Sequence, residues 1–278
     1  MADKPPRRRS TSAATPAAGA TRATEARGDD KSVRTLAKGL DILNALGDTN
    51  AMTVAEIAST VGLNRTTTHR IVQTLARYGY LQPLARKSTY GIGFRVLPLA
   101  GQVLDSNRVR LAALPHLNAL AATAGERVNL GVLVDGEMLY IAGIEKPSLP
   151  NVYSRFGKRA PAHCSSLGKA ILAFLPEDAA DAILAMRPLI RQTPHSIVDP
   201  QALRADFAET RSRGYALDHE EHILNCYCIA APIFDASQTP IAAVGVSGNR
   251  LQNILAQAEN VRLTAEIITH ILAPPAAA

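Results

Sequence analysis

The chain is 278 residues long, 47% hydrophobic and 19% charged, so it can bury a substantial core and is sized for one large domain or two smaller ones. With 4% aromatic residues and no Trp it has little to stack on single-stranded nucleic acid, and no uninterrupted apolar stretch approaches the roughly 18 residues of a membrane span. The net charge of +6 is uneven: residues 1–31 hold seven Lys and Arg against four Asp and Glu, residues 32–97 eight against three, and residues 98–278 fifteen against seventeen.

A basic first third joined to a slightly acidic remainder suits a polyanion-binding module attached to a domain with another task, although ordinary surface charge gives the same sum. Residues 1–30 are rich in Ala, Thr, Ser, Pro and Arg without apolar periodicity and are expected to be a disordered tail. Its Arg7, Arg8 and Arg9 either add non-specific DNA affinity or only solvate it. No apolar h-region follows them, which argues against a secretory signal. Three cysteines, Cys164, Cys226 and Cys228, are too few and too odd in number for a disulfide frame, so a reducing cytoplasmic location is expected.

From Ser32 the pattern changes. Val33, Leu36, Leu40, Leu43 and Leu46 recur at helical steps and mark one face, and Gly47-Asp48 stops the helix. Thr53-Val54-Ala55-Glu56 is a capping box opening a short helix through Thr60 that buries Ile57 and Ala58. Val61-Gly62-Leu63 makes a tight turn, and Asn64 caps a third helix running to about Tyr78, with Thr68, Ile71, Val72 and Leu75 inward. Tyr80-Leu81-Gln82 and Thr89–Ile92, around a turn holding Arg86, Lys87 and Ser88, read as a hairpin. Helix, helix, turn, helix, hairpin is the order of a winged helix-turn-helix, here assigned to residues 31–96. In that fold the N-terminal part of the second helix of the motif meets base edges in the major groove. The candidate DNA contacts are therefore Asn64, Arg65, Thr66, Thr67, His69, Arg70 and Gln73. Arg86 and Lys87 would hold the neighbouring backbone from the hairpin turn. A small helical bundle with a basic face, or a winged helix used for protein contact, shares this pattern.

A linker helix is expected over 97–109 and a second domain over 110–273, opening on a helix that ends near Gly125. Val128–Val134 and Met138–Ile144 flank Asp135-Gly136, a hairpin signal because both central turn positions want positive φ. Helices are expected at Ser166–Phe174, Glu177–Met186, Pro200–Arg213 and about Glu259–Leu272, and strands at Cys226–Phe234 and Ile241–Ser247. Hairpins mixed with helices imply an antiparallel α+β domain.

Between about Ser32 and Leu272 the sequence resembles the IclR family of bacterial regulators. The resemblance lies in Arg34–Leu43, Leu63–Arg70 and Tyr90-Gly91-Ile92-Gly93. Its more specific part lies in His163-Cys164-Ser165-Ser166-Leu167-Gly168-Lys169-Ala170, Arg213-Gly214-Tyr215, Glu220-Glu221-His222 and Ile229–Ile233. The resemblance implies a transcriptional regulator whose winged helix-turn-helix binds double-stranded operator DNA as a homodimer or tetramer. It also implies a C-terminal antiparallel-sheet domain of GAF or profilin type with a pocket for a small organic acid. Carried over by motif, that pocket holds Ser166, Leu167, Asp218, Cys226, Cys228, Gly245 and Ser247. Two departures stand out: Gly245 occupies a position where acid-binding relatives can place a hydroxyl residue, and Ser166-Leu167 is bulkier than the small pair often found there.

A helix opening at Ser165-Ser166 would aim free amides at a ligand carboxylate. Cys226 and Cys228 share a strand face, as pocket lining or as small buried core residues. Two rival readings use the same stretch: a metal or thiol sensor built on His219, His222, Cys226 and Cys228, and a cysteine-dependent enzyme built on Cys164 beside His163. The Cys-x-Cys spacing lacks the second pair of a closed zinc site, and neither cofactor nor catalysis is expected.

Overall fold

The computed structural model describes residues 33–47, 49, 51–84, 88–145 and 157–273. The expected tail at 1–30 and the wing-turn residues Arg86 and Lys87 lie outside them. The chain divides into two compact units, residues 1–96 and 97–278.

In the first unit, helix α1 (Arg34–Gly47), α2 (Val54–Val61) and α3 (Arg65–Arg77) surround a core of Ile42, Leu46, Met52, Ile57, Ile71, Val72 and Leu81. Both α2 and α3 start where the sequence places a cap. Thr53 Oγ1 accepts the Glu56 amide at 3.2 Å while Glu56 Oε2 accepts the Thr53 amide at 2.7 Å. Asn64 Oδ1 accepts from Thr67 N at 2.8 Å. Each cap satisfies an amide that the first helical turn leaves unpaired. Strands β2 (Leu81–Leu84) and β3 (Thr89–Ile92) form the expected hairpin, and a two-residue strand β1 (Met52–Thr53) adds to it in the order β1-β3-β2.

The face expected for α1 is corrected. Gly39, Ile42 and Leu46 are its buried residues, whereas Val33, Leu36 and Leu40 are 68%, 62% and 52% exposed. Apolar spacing identifies a helical stripe, but α1 carries two, and only packing selects one. Here Ile71 of α3 approaches Gly39 closely: a β-carbon at Gly39 would stand 3.8 Å from Ile71 Cγ2.

The second unit is built on a six-stranded antiparallel sheet, with β4 (Arg127–Val134), β5 (Glu137–Ile144), β6 (Arg159–Pro161), β7 (Ala216–His219), β8 (Tyr227–Phe234) and β9 (Pro240–Gly248) in the order β6-β5-β4-β9-β8-β7. The β4–β5 turn has Asp135 at φ 53° and Gly136 at φ 77°, the double positive pair that lets a two-residue turn follow the strand twist. Successive side chains leave opposite faces of a strand, and β8 shows both being used. Ile229, Ala231 and Ile233 face α5 (Arg108–Ala124) and α10 (Ala258–Leu272), whereas Ala230 joins Leu167, Ala170 and Ile171 of α6 (Ser166–Leu172) on the other side. Helices α7 (Glu177–Ala185) and α8 (Pro200–Arg213) pack beyond α6 through Ala180, Leu203 and Phe207. Helix α4 (Val96–Ser106) precedes α5, and a one-turn α9 (Leu251–Leu255) precedes α10. The short elements β1, β6, β7 and α9, and a 3₁₀ turn at Ala162–Cys164, are too brief to leave a periodic signal.

Candidate functional site

On α3 the side chains of Arg65, Thr66, His69, Arg70 and Gln73 are exposed, Thr67 is half-buried, and Thr68 turns inward, donating its hydroxyl to Asn64 O at 3.0 Å. Arg65, Thr66, His69 and Arg70 border a surface groove whose opposite wall is the N-terminus of α2 and the wing residues Ser88 and Tyr90. A cationic helix beside such a groove has the charge and shape to meet phosphate and base edges together. Asn64 is exposed, but its side-chain oxygen is occupied as the cap.

In the second unit, all seven residues carried over for the pocket, Ser166, Leu167, Asp218, Cys226, Cys228, Gly245 and Ser247, line one cleft. It lies between the start of α6 and the sheet face of β4, β9, β8 and β7, and strand register explains the gathering. Ser247 pairs with Cys228 and Cys228 with Asp218, so the three side chains stand in a row across adjacent strands on one face. Gly245 is two residues from Ser247 on that face, and space dictates its identity. A β-carbon there would lie 2.5 Å from Ile229 O and 2.9 Å from Ala230 Cβ. A side chain at position 245 would thus collide with β8.

Ser165, at the expected helix start, lines the cleft as well, and so do Asn129, Tyr140, His222 and Ile223, which the sequence did not single out for it. Asn129 is 3% exposed, and its Nδ2 donates to Ser247 Oγ at 3.1 Å across β4 and β9. The only sequence signal for it was a polar residue inside an apolar strand. The free volume of the cleft is about 10 Å3, on the order of what one water molecule needs. Among the described residues no lysine or arginine lines it.

A loop from His219 to Cys226 roofs the cleft with His222 and Ile223 and is tied down from below. Asp218 Oδ1 accepts the amides of Glu221 (2.7 Å) and His222 (3.3 Å). Thr193 Oγ1 donates to Glu220 O at 2.6 Å and Ser196 Oγ to Glu221 O at 2.6 Å. Lys169, fully buried on α6, donates to Glu221 Oε1 at 2.6 Å and has Asp206 Oδ2 at 3.1 Å, an ion contact without hydrogen-bond geometry. Burial pushes the Asp218 carboxyl up to about 7, against the two amides and Lys169, which pull it down. Burial likewise pushes Glu221 up to about 7, opposed by Lys169.

The geometry does not assemble the metal cluster or the cysteine nucleophile of the rival readings. His219 pairs with Tyr227 and leaves the sheet on the face opposite Asp218, its ring stacked edge-on against Tyr227 at 5.1 Å and His195 at 6.2 Å. It therefore cannot join His222, Cys226 and Cys228, and among the described residues no group of three or more His, Cys, Asp or Glu is placed to hold a metal ion. Cys226 and Cys228 do share a face, with sulfurs 3.7 Å apart, and no cysteine is in a disulfide. The Cys164 thiol is buried and pushed up to about 12, chiefly by burial and then by Asp218 and Glu221, which disfavours the thiolate a nucleophile needs. His163 has its Nε2 3.1 Å from Ile190 O, and burial lowers its basicity.

The family models for the IclR helix-turn-helix domain and the bacterial transcriptional regulator IclR C-terminal region match residues 35–85 and 101–270. The chain belongs to the IclR family. The transcriptional repressor IclR of Escherichia coli K12 is 33% identical over 219 residues, covering 78% of this chain and 80% of that one. The glycerol operon regulatory protein of Streptomyces coelicolor is 31% identical over 78% of this chain and 85% of its own length. Among solved structures, Thermotoga maritima IclR superposes with a TM-score of 0.66 at 28% identity, covering 87% of this chain and 99% of that one. An IclR homologue from Microbacterium hydrocarbonoxydans complexed with 4-hydroxybenzoate gives 0.72 at 27%, covering 86% and 98%. This IclR-family chain is thus a DNA-binding transcriptional regulator with an effector-binding C-terminal domain. Among its described residues no helix is long and apolar enough to cross a membrane.

Proposed function

We propose that Arg65, Thr66, Thr67, His69, Arg70 and Gln73 read operator DNA, with Asn64 setting the start of the reading helix and Arg86 and Lys87 holding backbone phosphates. The observation that carries this is the exposure of the cationic face of α3 beside its groove, when the same helix buries Thr68, Ile71 and Val72. Arg70→Ala is expected to weaken specific binding by about 1–3 kcal/mol through loss of a guanine contact, whereas Lys87→Ala lowers affinity evenly across sequences and flattens the salt dependence. Anisotropy titrations at two salt concentrations check this; equal operator affinity for wild type and Arg70→Ala would remove Arg70 from the interface.

The cleft of the second unit binds a small carboxylic or aromatic acid. The solved relative that holds 4-hydroxybenzoate supports this ligand class. Because the cleft has room for about one water, an acid enters only as the His219–Cys226 roof yields. With no lysine or arginine among the described lining residues, its carboxylate is met by Asn129, Ser166, Ser247 and Asp218 in protonated form. A thermal-shift series with 4-hydroxybenzoate and other small carboxylic and aromatic acids tests this, since a ligand at 100 times its dissociation constant stabilises by about 2.7 kcal/mol.

The regulator works as a homodimer or a dimer of dimers on a partly palindromic site. None of the residues of α4 is buried, and Leu97, Leu99 and Val103 are 62%, 53% and 64% exposed. Apolar surface of that extent on one short helix calls for a partner. Val103→Glu is expected to shift the protein to monomer in light scattering at micromolar concentration; an unchanged mass would exclude α4 from the interface. Each protomer then places α3 in a major groove, with half-sites about 34 Å or a multiple apart.

A further inference from the structure

Gln73 lies two helical turns beyond Thr66 on the exposed face of α3, and its Nε2 donates to Tyr90 Oη at 3.0 Å. Tyr90 is held firmly. It sits on β3, the centre strand of its sheet, paired with Met52 on one side and Pro83 on the other, and packs against the core of the first unit. It also borders the groove together with Arg65, Thr66, His69 and Arg70. We propose that Tyr90 determines base specificity at the DNA interface: by holding the amide nitrogen of Gln73 it presents the carbonyl oxygen to the groove and commits position 73 to bases bearing an exocyclic amino group. This rests on the DNA-reading role given to α3 above.

An unrestrained glutamine can turn its amide by half a rotation and offer either a donor or an acceptor. In the major groove the acceptor suits adenine N6 or cytosine N4, and the donor suits guanine O6 or thymine O4. With the nitrogen engaged on a rigid strand, the planar amide leaves its oxygen on the other limb. A phenol can also donate to the oxygen of a turned amide, so the acceptor orientation is locked once the phenol gives its own hydrogen to a phosphate oxygen. The phenol accepts from Gln73 and keeps its own hydrogen, which can go to a phosphate oxygen. A mere brace between wing and helix would alter stability without altering base choice.

The test is selection of duplexes from a random pool by the full chain and three variants, with thermal unfolding monitored alongside. The wild type is expected to favour adenine or cytosine at one position of each half-site. Gln73→Ala loses that preference, and Tyr90→Phe loses most of it, discrimination falling about five- to tenfold while other positions hold. Gln73→Glu has only acceptors and no amide to turn, so it keeps the choice of adenine or cytosine at lower overall affinity. Tyr90→Phe retaining the wild-type preference, Gln73→Ala altering no position, or Gln73→Glu accepting guanine or thymine would each overturn the proposal. A wild type that enriched no motif would instead sink the DNA-reading role of α3, and this inference with it.

Discussion

Lys169→Ala is expected to destabilise the second unit by about 3–5 kcal/mol, the usual cost of removing one partner from a buried ion pair. Lys169 is fully buried, with Glu221 and Asp206 as its counter-charges. Without it, Glu221 keeps a carboxylate 6% exposed, one of whose oxygens already has no hydrogen-bond partner. The loss spreads because Glu221 also anchors the roof of the cleft through its amide to Asp218 and its carbonyl to Ser196. Effector response and stability should therefore fall together, while the reading helix, in the other unit, keeps its local structure. The effect has a pH sign. Glu221 protonates near 7 even with Lys169 present, so the variant's deficit should be smaller at pH 5.5 than at pH 8. Urea unfolding of wild type and variant at both pH values measures this; a deficit under about 0.5 kcal/mol at pH 8 would show that the pair is not what holds the roof.

Asp218→Asn is expected to act in the opposite direction at alkaline pH. In the folded chain burial raises Asp218 to about 7 from an ordinary 3.8, so folding favours its protonated form. Below pH 4 the carboxyl is protonated whether folded or not, and the full stability is present. As pH rises from 4 to 7 the unfolded chain ionises first, and stability is lost at no more than about 1.4 kcal/mol per pH unit, roughly 4 kcal/mol at most in total. Asparagine removes this titration and keeps an oxygen for the amides of Glu221 and His222. The variant should be more stable than wild type at pH 8 and equal to it near pH 4, with the residual slope owed to Glu221. Parallel stability curves for the two proteins would show that Asp218 is ionised throughout. The same proton bears on the ligand: a carboxylate entering the cleft meets repulsion from Asp218 once that group ionises. Effector affinity of the wild type is therefore expected to fall above pH 7.

Much of this was legible before any coordinates, and the particular elements show why. The Thr53–Glu56 box, the Asn64 cap and the Asp135-Gly136 turn act within three or four residues, so their sequence signature is nearly their structure. The motif stretches around Ser166, Asp218 and Cys226–Ser247 named cleft residues because strand register brings them into one row. The buried face of α1 was not legible, since Leu36 and Leu40 have the same spacing and hydrophobicity as residues that do pack inward. Nor were Asn129 and Tyr90, whose importance comes from partners 118 and 17 residues away, Ser247 and Gln73.

By itself the amino-acid order determined the capped starts of α2 and α3, the hairpins, the basic face of α3 and the family, because propensity, capping and periodicity are local forces that every copy of the chain feels before it folds. Tertiary structure alone decided that Lys169 is enclosed by Glu221 and Asp206, that His219 faces away from Cys226 and Cys228, and that the cleft is closed to about one water. Those outcomes depend on which distant surfaces exclude water together, and burial is a property of the assembled fold rather than of any segment.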